Sequence, residues 1–340
     1  AWSWFVEGRI AEGRSWADLA LAATENQSTF LRGSLFLSGS LLAGAHSDIT
    51  AYAAHAEEAL RLGAELDTPV LRAGGAHFLA VVRWAEGNLA RARELLHEAI
   101  EGYEHADADR HPPVNSELPG AFWGPWRMVL GVLGRVLNDA GDASEAAEAL
   151  SRARNLARSQ GEDLALAFSL DVSAALALDR VETAEAASLI DEAVHHYRQG
   201  GWLEGLASGL NTQGLVALST RATATAQASF GEALGLCRRL GHLGGLATAL
   251  EGLASVAATG GEAHRPATLL GAAAALRARS GAGIPAHLQP AHSRLRAQLA
   301  ERLGDDEFAA AWKAGEALGP DAAVELAGRA EAFSGRPVDA

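Results

Sequence analysis

A chain of 340 residues exceeds a single-core domain, so it must divide into domains or stack small units side by side. Its 28 Lys and Arg against 42 Asp and Glu leave a formal charge of −14, which excludes direct nucleic-acid binding through a phosphate backbone. Cys237 is the only cysteine, Ala1–Gly13 lacks a basic start followed by an apolar run, and no stretch reaches the roughly 20 apolar residues of a membrane span, so a reduced, cytoplasmic protein without a disulfide or membrane partner is expected.

Taken in chain order, one phrase recurs. A helical segment centred on Ala20 returns as EEALRL at Ala59, HEAIEG at Ala99, SRARNL at Ala153, DEAVHH at Ala193, GEALGL at Ala233 and GAAAAL at Ala273. The steps are 39, 40, 54, 40, 40 and 40 residues. Seven residues before the anchor stand Ala92, Ala146, Ala186 and Ala226; twelve before those stand Ala80, Gly134, Ala174 and Gly214, with Ser40 and Ala254 in the outer copies. A mostly large apolar position precedes them at Phe36, Ala76, Leu130, Leu170, Leu210 and Leu250, and another precedes the anchor at Leu96, Leu150, Ile190, Phe230 and Leu270. Two antiparallel helices approach closely only where side chains are small, so this alternation specifies a helix pair. A lone pair cannot bury its apolar face, so successive pairs must stack.

Turns within the pairs are expected at Ala45-His46-Ser47-Asp48, Gly87-Asn88, Gly141-Asp142 and Gly260-Gly261. The long step places an insertion at His105–Pro125, whose four prolines forbid a continuous helix. After residue 281 the period fails. Leu288–Leu303, Asp305–Leu318 and Asp321–Phe333 read as three capping helices, separated by Gly304 and Gly319-Pro320. The domain reading is therefore repeats over 1–281, with the loop at about 105–125, and a cap over 282–340.

Large apolar, small, small, large apolar, then Ala resembles the tetratricopeptide repeat, stretched to 40 residues, over roughly Ala1–Arg279. Tyr52, Gly13 and Pro266 depart from the pattern in the outer copies. The fold class expected is all-α, a tetratricopeptide-like right-handed superhelix of about seven helix pairs with C-terminal capping helices. The start, WSWFVEGRIAEGRSWADLALA, and the close, from ATLLGAAAALRARSGAGIPAHLQP to GPDAAVELA, resemble the repeat domain of LuxR, MalT-like and AfsR-like actinobacterial transcription regulators. That resemblance implies a domain that receives a small-molecule or peptide effector, contacts other domains of the same regulator and biases self-association, including as a homodimer. The accompanying modules are not seen: no G-x-x-x-x-G-K-[ST] loop occurs, and GHLGG at Gly241–Gly245 lacks its Lys and hydroxyl. With no initiator Met, the chain reads as a domain cut from such a regulator.

In a tetratricopeptide superhelix the first helix of each pair lines a concave face. Transferring its inward positions names His77, Asp171 and Asn211, then Arg135, then Trp84 and Asn138, with Phe168 and Trp126 as aromatic walls. Apolar walls with a few orienting polar groups suit an effector pocket. His105, Asp107, Asp109 and His111 have metal-ligand chemistry, but a solvated polar loop explains them better, so no metal and no cofactor are expected. Cys237, four residues after Ala233, reads as a buried thiol. No catalytic motif appears, so no enzyme is expected. A plain protein scaffold is the alternative; a helical-repeat enzyme using His77 or Asp171 is less favoured.

Overall fold

The computed structural model describes residues 2–45, 48–108, 124–281, 283–284 and 288–328. Its described regular elements are all helices: α1 (Trp2–Val6), α2 (Ile10–Ala23), α3 (Phe30–Ala45), α4 (Ile49–Glu65), α5 (Pro69–Ala85), α6 (Leu89–Ala108), α7 (Gly124–Asp139), α8 (Ala143–Gln160), α9 (Asp163–Asp179), α10 (Thr183–Gly200), α11 (Leu203–Ser219), α12 (Thr223–Leu240), α13 (Leu243–Thr259), α14 (His264–Ser280), α15 (Gln289–Leu303), α16 (Asp305–Glu316) and α17 (Pro320–Gly328). From α1 to α16 each packs on the next, α17 packs back on α12, α13 and α14, and the first helices of consecutive pairs also touch: α3 on α5, α5 on α7, α7 on α9, α9 on α11, α11 on α13. The protein is thus all-α, a consecutive array of helix pairs.

The small positions do what close approach demands. Ala59, Ala92, Ala99, Ala146, Ala186, Ala193, Ala226, Ala233 and Ala273 are fully buried, as are Ala80 and Ala174 on the facing helices. At Gly134 a Cβ would stand 2.5 Å from Leu150 Cγ, and at Gly214 one would stand 2.6 Å from Phe230 Cζ. Leu150 and Phe230 are themselves repeat positions. Each large side chain therefore fills the notch left by a small one, the close packing that gives helix pairs their fixed geometry.

Second helices α8, α10, α12 and α14 are followed by glycine in the left-handed region, Gly161, Gly201, Gly241 and Gly281, all with φ near +68°. Gly87, Gly141 and Gly261 occupy the within-pair turns, at φ +79°, +90° and +90°. Two boundaries differ from expectation. Helix α6 runs through His105 to Ala108, because Tyr103 and Ile100 bury its face and no proline intervenes before residue 112; α7 already begins at Gly124, since Pro125 fits the first helical turn. Residues 109–123, the rest of the expected insertion, lie outside the described residues, as do His46, Ser47 and the last part of the expected third capping helix.

The cap is seated by glycine. A Cβ on Gly315 of α16 would lie 2.0 Å from the Thr268 carbonyl oxygen of α14, and one on Gly271 would lie 2.1 Å from the Trp312 oxygen. At the other end, α1 reaches a distant part of the array. Phe5 meets Trp202 with ring centroids 5.6 Å apart, and a Cβ on Gly8 would stand 2.6 Å from Leu240 and 3.7 Å from Leu203. The buried apolar cluster that runs from Ala157 to Ala323 accordingly takes in Phe5, Ile10, Ala17, Leu42 and Ala45, while a second cluster spans α3–α9. Among the described residues no helix is long and apolar enough to cross a membrane.

Candidate functional site

Most of the expected site residues lie on the first helices of the pairs, and hydrogen bonds join them from one pair to the next. Trp84, at the end of α5, donates its indole N–H to Asp139 Oδ2 at the end of α7, 2.8 Å away. Asn138 Nδ2 then donates to Asp179 Oδ2 at the end of α9, at 3.0 Å. Arg135, one turn earlier on α7, has its Nε 3.7 Å from Asp139 Oδ1, and its charge also bears on Asp171 and Asp179. On α9, Asp171 accepts from the hydroxyl of Ser208 at 3.0 Å and from Thr212, both on α11. Asn211 Nδ2 carries the series to the Gly245 carbonyl of α13, at 3.2 Å. A polar ladder therefore runs from α5 to α13.

Its electrostatics are set by burial. Asp171 is 6% exposed, and desolvation raises its carboxyl above the usual range; the Thr212 and Ser208 hydroxyls and the Arg135 charge oppose this only in part. Desolvation raises Asp179 in the same way, against the Asn138 amide and Arg135, with Asp139 adding repulsion. The charge of one guanidinium thus acts on three carboxylates, and the group favours donors and cations.

The remaining candidates divide. His77 is buried on α5, stacked on Phe78 at 5.2 Å, and desolvation lowers its imidazole to about 4, so it is neutral; its Nδ1 has no hydrogen-bond partner. Phe168 is half-buried beside Gly131, where a Cβ would come within 2.7 Å of its ring, and it bridges both apolar clusters. Trp126 stands on α7, with its side chain outside the described set. His77, Asp171 and Asn211 are buried where consecutive first helices pack on one another. Glu251, at the same repeat position, is engaged by Arg277 at 2.7 Å.

Sequence reasoning missed Asp139 and Asp179, which share one repeat position five residues after Gly134 and Ala174; a search for repeated carboxylates would have found them. It also missed Glu204 and Tyr197. Cys237 is buried and its thiol is pushed up to about 12 by desolvation, the environment of an inert cysteine. Among the described residues no group of three or more His, Cys, Asp or Glu could hold a metal ion; of the four residues weighed for one, Asp109 and His111 lie outside the described set. Two recesses on the described surface lie away from the ladder. One, of about 700 Å³, sits between α12 and α17, against Arg238, Arg239 and Asp321; another, of about 540 Å³, lies along the outer face of α8.

No family model and no curated protein matches the chain. Among solved structures, BtubC (BKLC) from P. vanneervenii superposes with a TM-score of 0.48 at 20% identity, covering 68% of this chain and 89% of that one. Any functional reading must therefore stand on the chain's own residues.

Proposed function

We propose that the chain is a tetratricopeptide-like right-handed superhelix of about seven pairs with C-terminal capping helices, serving as the cytoplasmic ligand-sensing and protein-interaction domain of a bacterial transcription regulator. The effector is a small molecule or peptide held along the first helices. The single observation that carries this reading is the ladder from Trp84 to Asn211, in which polar groups on successive pairs are tied to one another. Burying such groups gains little stability over apolar packing. It does make the angle between neighbouring pairs depend on hydrogen bonds that a ligand can replace, so binding energy becomes a change of curvature that other domains of the regulator feel.

The test is a thermal-shift screen with small amines, metabolites and short peptides, followed by calorimetry of any hit against Arg135→Ala and Asn211→Ala. A loss of at least about tenfold in affinity, or ~1.4 kcal/mol, is expected from either change. Unchanged affinity would remove the ladder as the site. A second reading, a scaffold for protein partners, is favoured by the exposed apolar side chains Trp16, Leu19 and Leu31 on α2 and α3, at 56%, 63% and 60% exposure. A partner whose binding is lost on Trp16→Ser, with no small molecule needed, would establish it.

A further inference from the structure

The array meets itself at its start. Phe5 of α1 and Trp202, the residue before α11, are 7% and 5% exposed, and their rings stand 5.6 Å apart. Trp202 in turn meets Tyr197 of α10 edge to face, at 5.4 Å. The turn after α1 is shaped for the same approach: Gly8 adopts φ +72°, and a Cβ there would come within 2.6 Å of Leu240 on α12 and 3.7 Å of Leu203 on α11. The charged groups of this segment are spent beside it, Arg9 on Glu7 and Glu12, and Glu7 also on the Ser3 hydroxyl. Its hold on α11 and α12 through Phe5 and Gly8 is therefore apolar.

The other joint between the two parts of the array is of a different kind. Buried apolar side chains form two clusters, one over α3–α9 and one that runs from Ala157 of α8 to Ala323 and takes in Phe5, Ile10 and Ala17. Helix α9 is a shared wall, giving Val172 and Leu176 to the first and Leu170 and Ala174 to the second. Its joint to α7 and α8 is rich in polar bonds: Asn138 donates to Asp179, Arg154 to the Ser173 hydroxyl and Arg180 to the Ala143 carbonyl. Among the described residues, two partly buried side chains pack against both clusters, Phe168 and Leu41. Phe168 lies over Gly131 at the α9 joint; Leu41 lies on α3 beside Leu42, which closes on Gly13 of α2 next to the Phe5 seat. The clusters are thus tied in two places, one polar and one apolar.

We propose that Trp4–Gly8 is a clasp that closes the array on itself, and that α9 is the pivot about which the array opens when the clasp is released. With the clasp shut, any change of angle at α9 must pull Phe5 from Trp202 and Gly8 from Leu240. With it released, one joint remains, and its polar bonds can be exchanged for water as the angle changes. Release breaks no ion pair and frees only a short terminal helix, the kind of segment that opens locally while the rest stays folded. The clasp goes beyond the sensor reading and stands whatever ligand the ladder takes.

The test places spin labels at Ala54→Cys on α4 and Gln227→Cys on α12, both exposed, in the full chain carrying Cys237→Ala, and measures the distance between them. Phe5→Ala removes one side of the seat, and Gly8→Val forces a β-branched side chain against Leu240 in a left-handed turn. The parent should give one narrow distance, and each variant an added population at longer distance, with helix content unchanged by circular dichroism. Hydrogen exchange should show α1 released in both variants. If α1 is released and the distance stays that of the parent, the segment is terminal packing and the proposal is overturned. Should a variant lose helix content, the parent in rising urea decides: loss of α1 protection and lengthening of the distance should come together, before global unfolding. A distance that holds until the whole chain unfolds overturns the clasp.

Discussion

Glu251 and Asp171 occupy the same repeat position on α13 and α9, yet the regions around them follow different rules. At the α13–α14 end, Glu251 accepts two hydrogen bonds from Arg277, at 2.8 and 2.7 Å, and Arg277 spends its other hydrogens on Thr248 and the Gly283 carbonyl. The turn there uses Gly261, and the cap is seated through Gly271 and Gly315. In the middle, Asp171 is met by hydroxyls, with Arg135 acting only at a distance, and Tyr197 Oη and Asn211 Oδ1 are buried without partners. The turns before α10 and α12 place Val181 and Arg221 at φ +64° and +60°. Local rules are satisfied at the end and broken in the middle, which is the pattern of a stability determinant beside a region kept for another purpose.

The largest expected effect breaks the satisfied end. Arg277→Ala leaves Glu251 buried without its partner and should cost about 3–5 kcal/mol in urea unfolding. Asp171→Asn tests the other side of the comparison. Its carboxyl is raised by burial, so it is a burden once ionised, and a neutral amide of the same shape should change stability at pH 7 by less than ~1 kcal/mol, with a gain the expected sign. Equal losses at the two sites would dissolve the contrast.

Next in size is a pair of opposed pH effects. His77 is lowered from 6.5 to about 4, so the unfolded chain takes up a proton that the folded chain refuses; stability present above pH 6.5 is lost as pH falls, by about 2 kcal/mol at pH 5. Glu204 is raised from 4.5 to about 7, so the folded chain keeps a proton that the unfolded chain releases, and stability rises as pH falls from 7 towards 4.5. Discounted for its partial exposure, that gain is about 1 kcal/mol. Urea midpoints at pH 7 and 5 should therefore shift only modestly in the parent. His77→Asn should become more stable at pH 5 than at pH 7, and Glu204→Gln should lose more stability than the parent does. The same direction in both variants would refute the assignment.

The array was legible in the sequence because it is written in neighbours: Gly134 faces Leu150 and Gly214 faces Phe230 across one turn of chain, so side-chain size at fixed spacing was enough. The ladder was half legible. Trp84 and Asn138 could be placed on the first helices, but their acceptors, Asp139 and Asp179, sit on the next pair and are reached only once the pairs stack. The seat of Phe5 on Trp202 was not legible at all, since it joins the start of the chain to the middle of the array and no periodicity relates them. Likewise Glu204 looks like any acidic first-turn residue until its carboxyl is seen to be raised by burial.

The smallest effect concerns the turns, and it compares the two regions most directly. Residues 141, 181, 221 and 261 are one structural position, all with positive φ. Glycine holds it at 141 and 261 without side-chain strain, whereas a β-branched residue in the left-handed region carries a cost of about 1–2 kcal/mol. Val181 is 79% exposed, so its side chain returns little packing in exchange. Val181→Gly should raise stability by about 0.5–1 kcal/mol, the relief of strain exceeding the entropy that glycine adds to the unfolded chain. Gly261→Val should lose about 1–2 kcal/mol, and thermal melts of the two variants should move in opposite directions. If Val181→Gly instead lowers the melting temperature, the strained turn is supported by contacts that glycine cannot make, and the middle of the array is more tightly determined than its unpartnered polar groups imply.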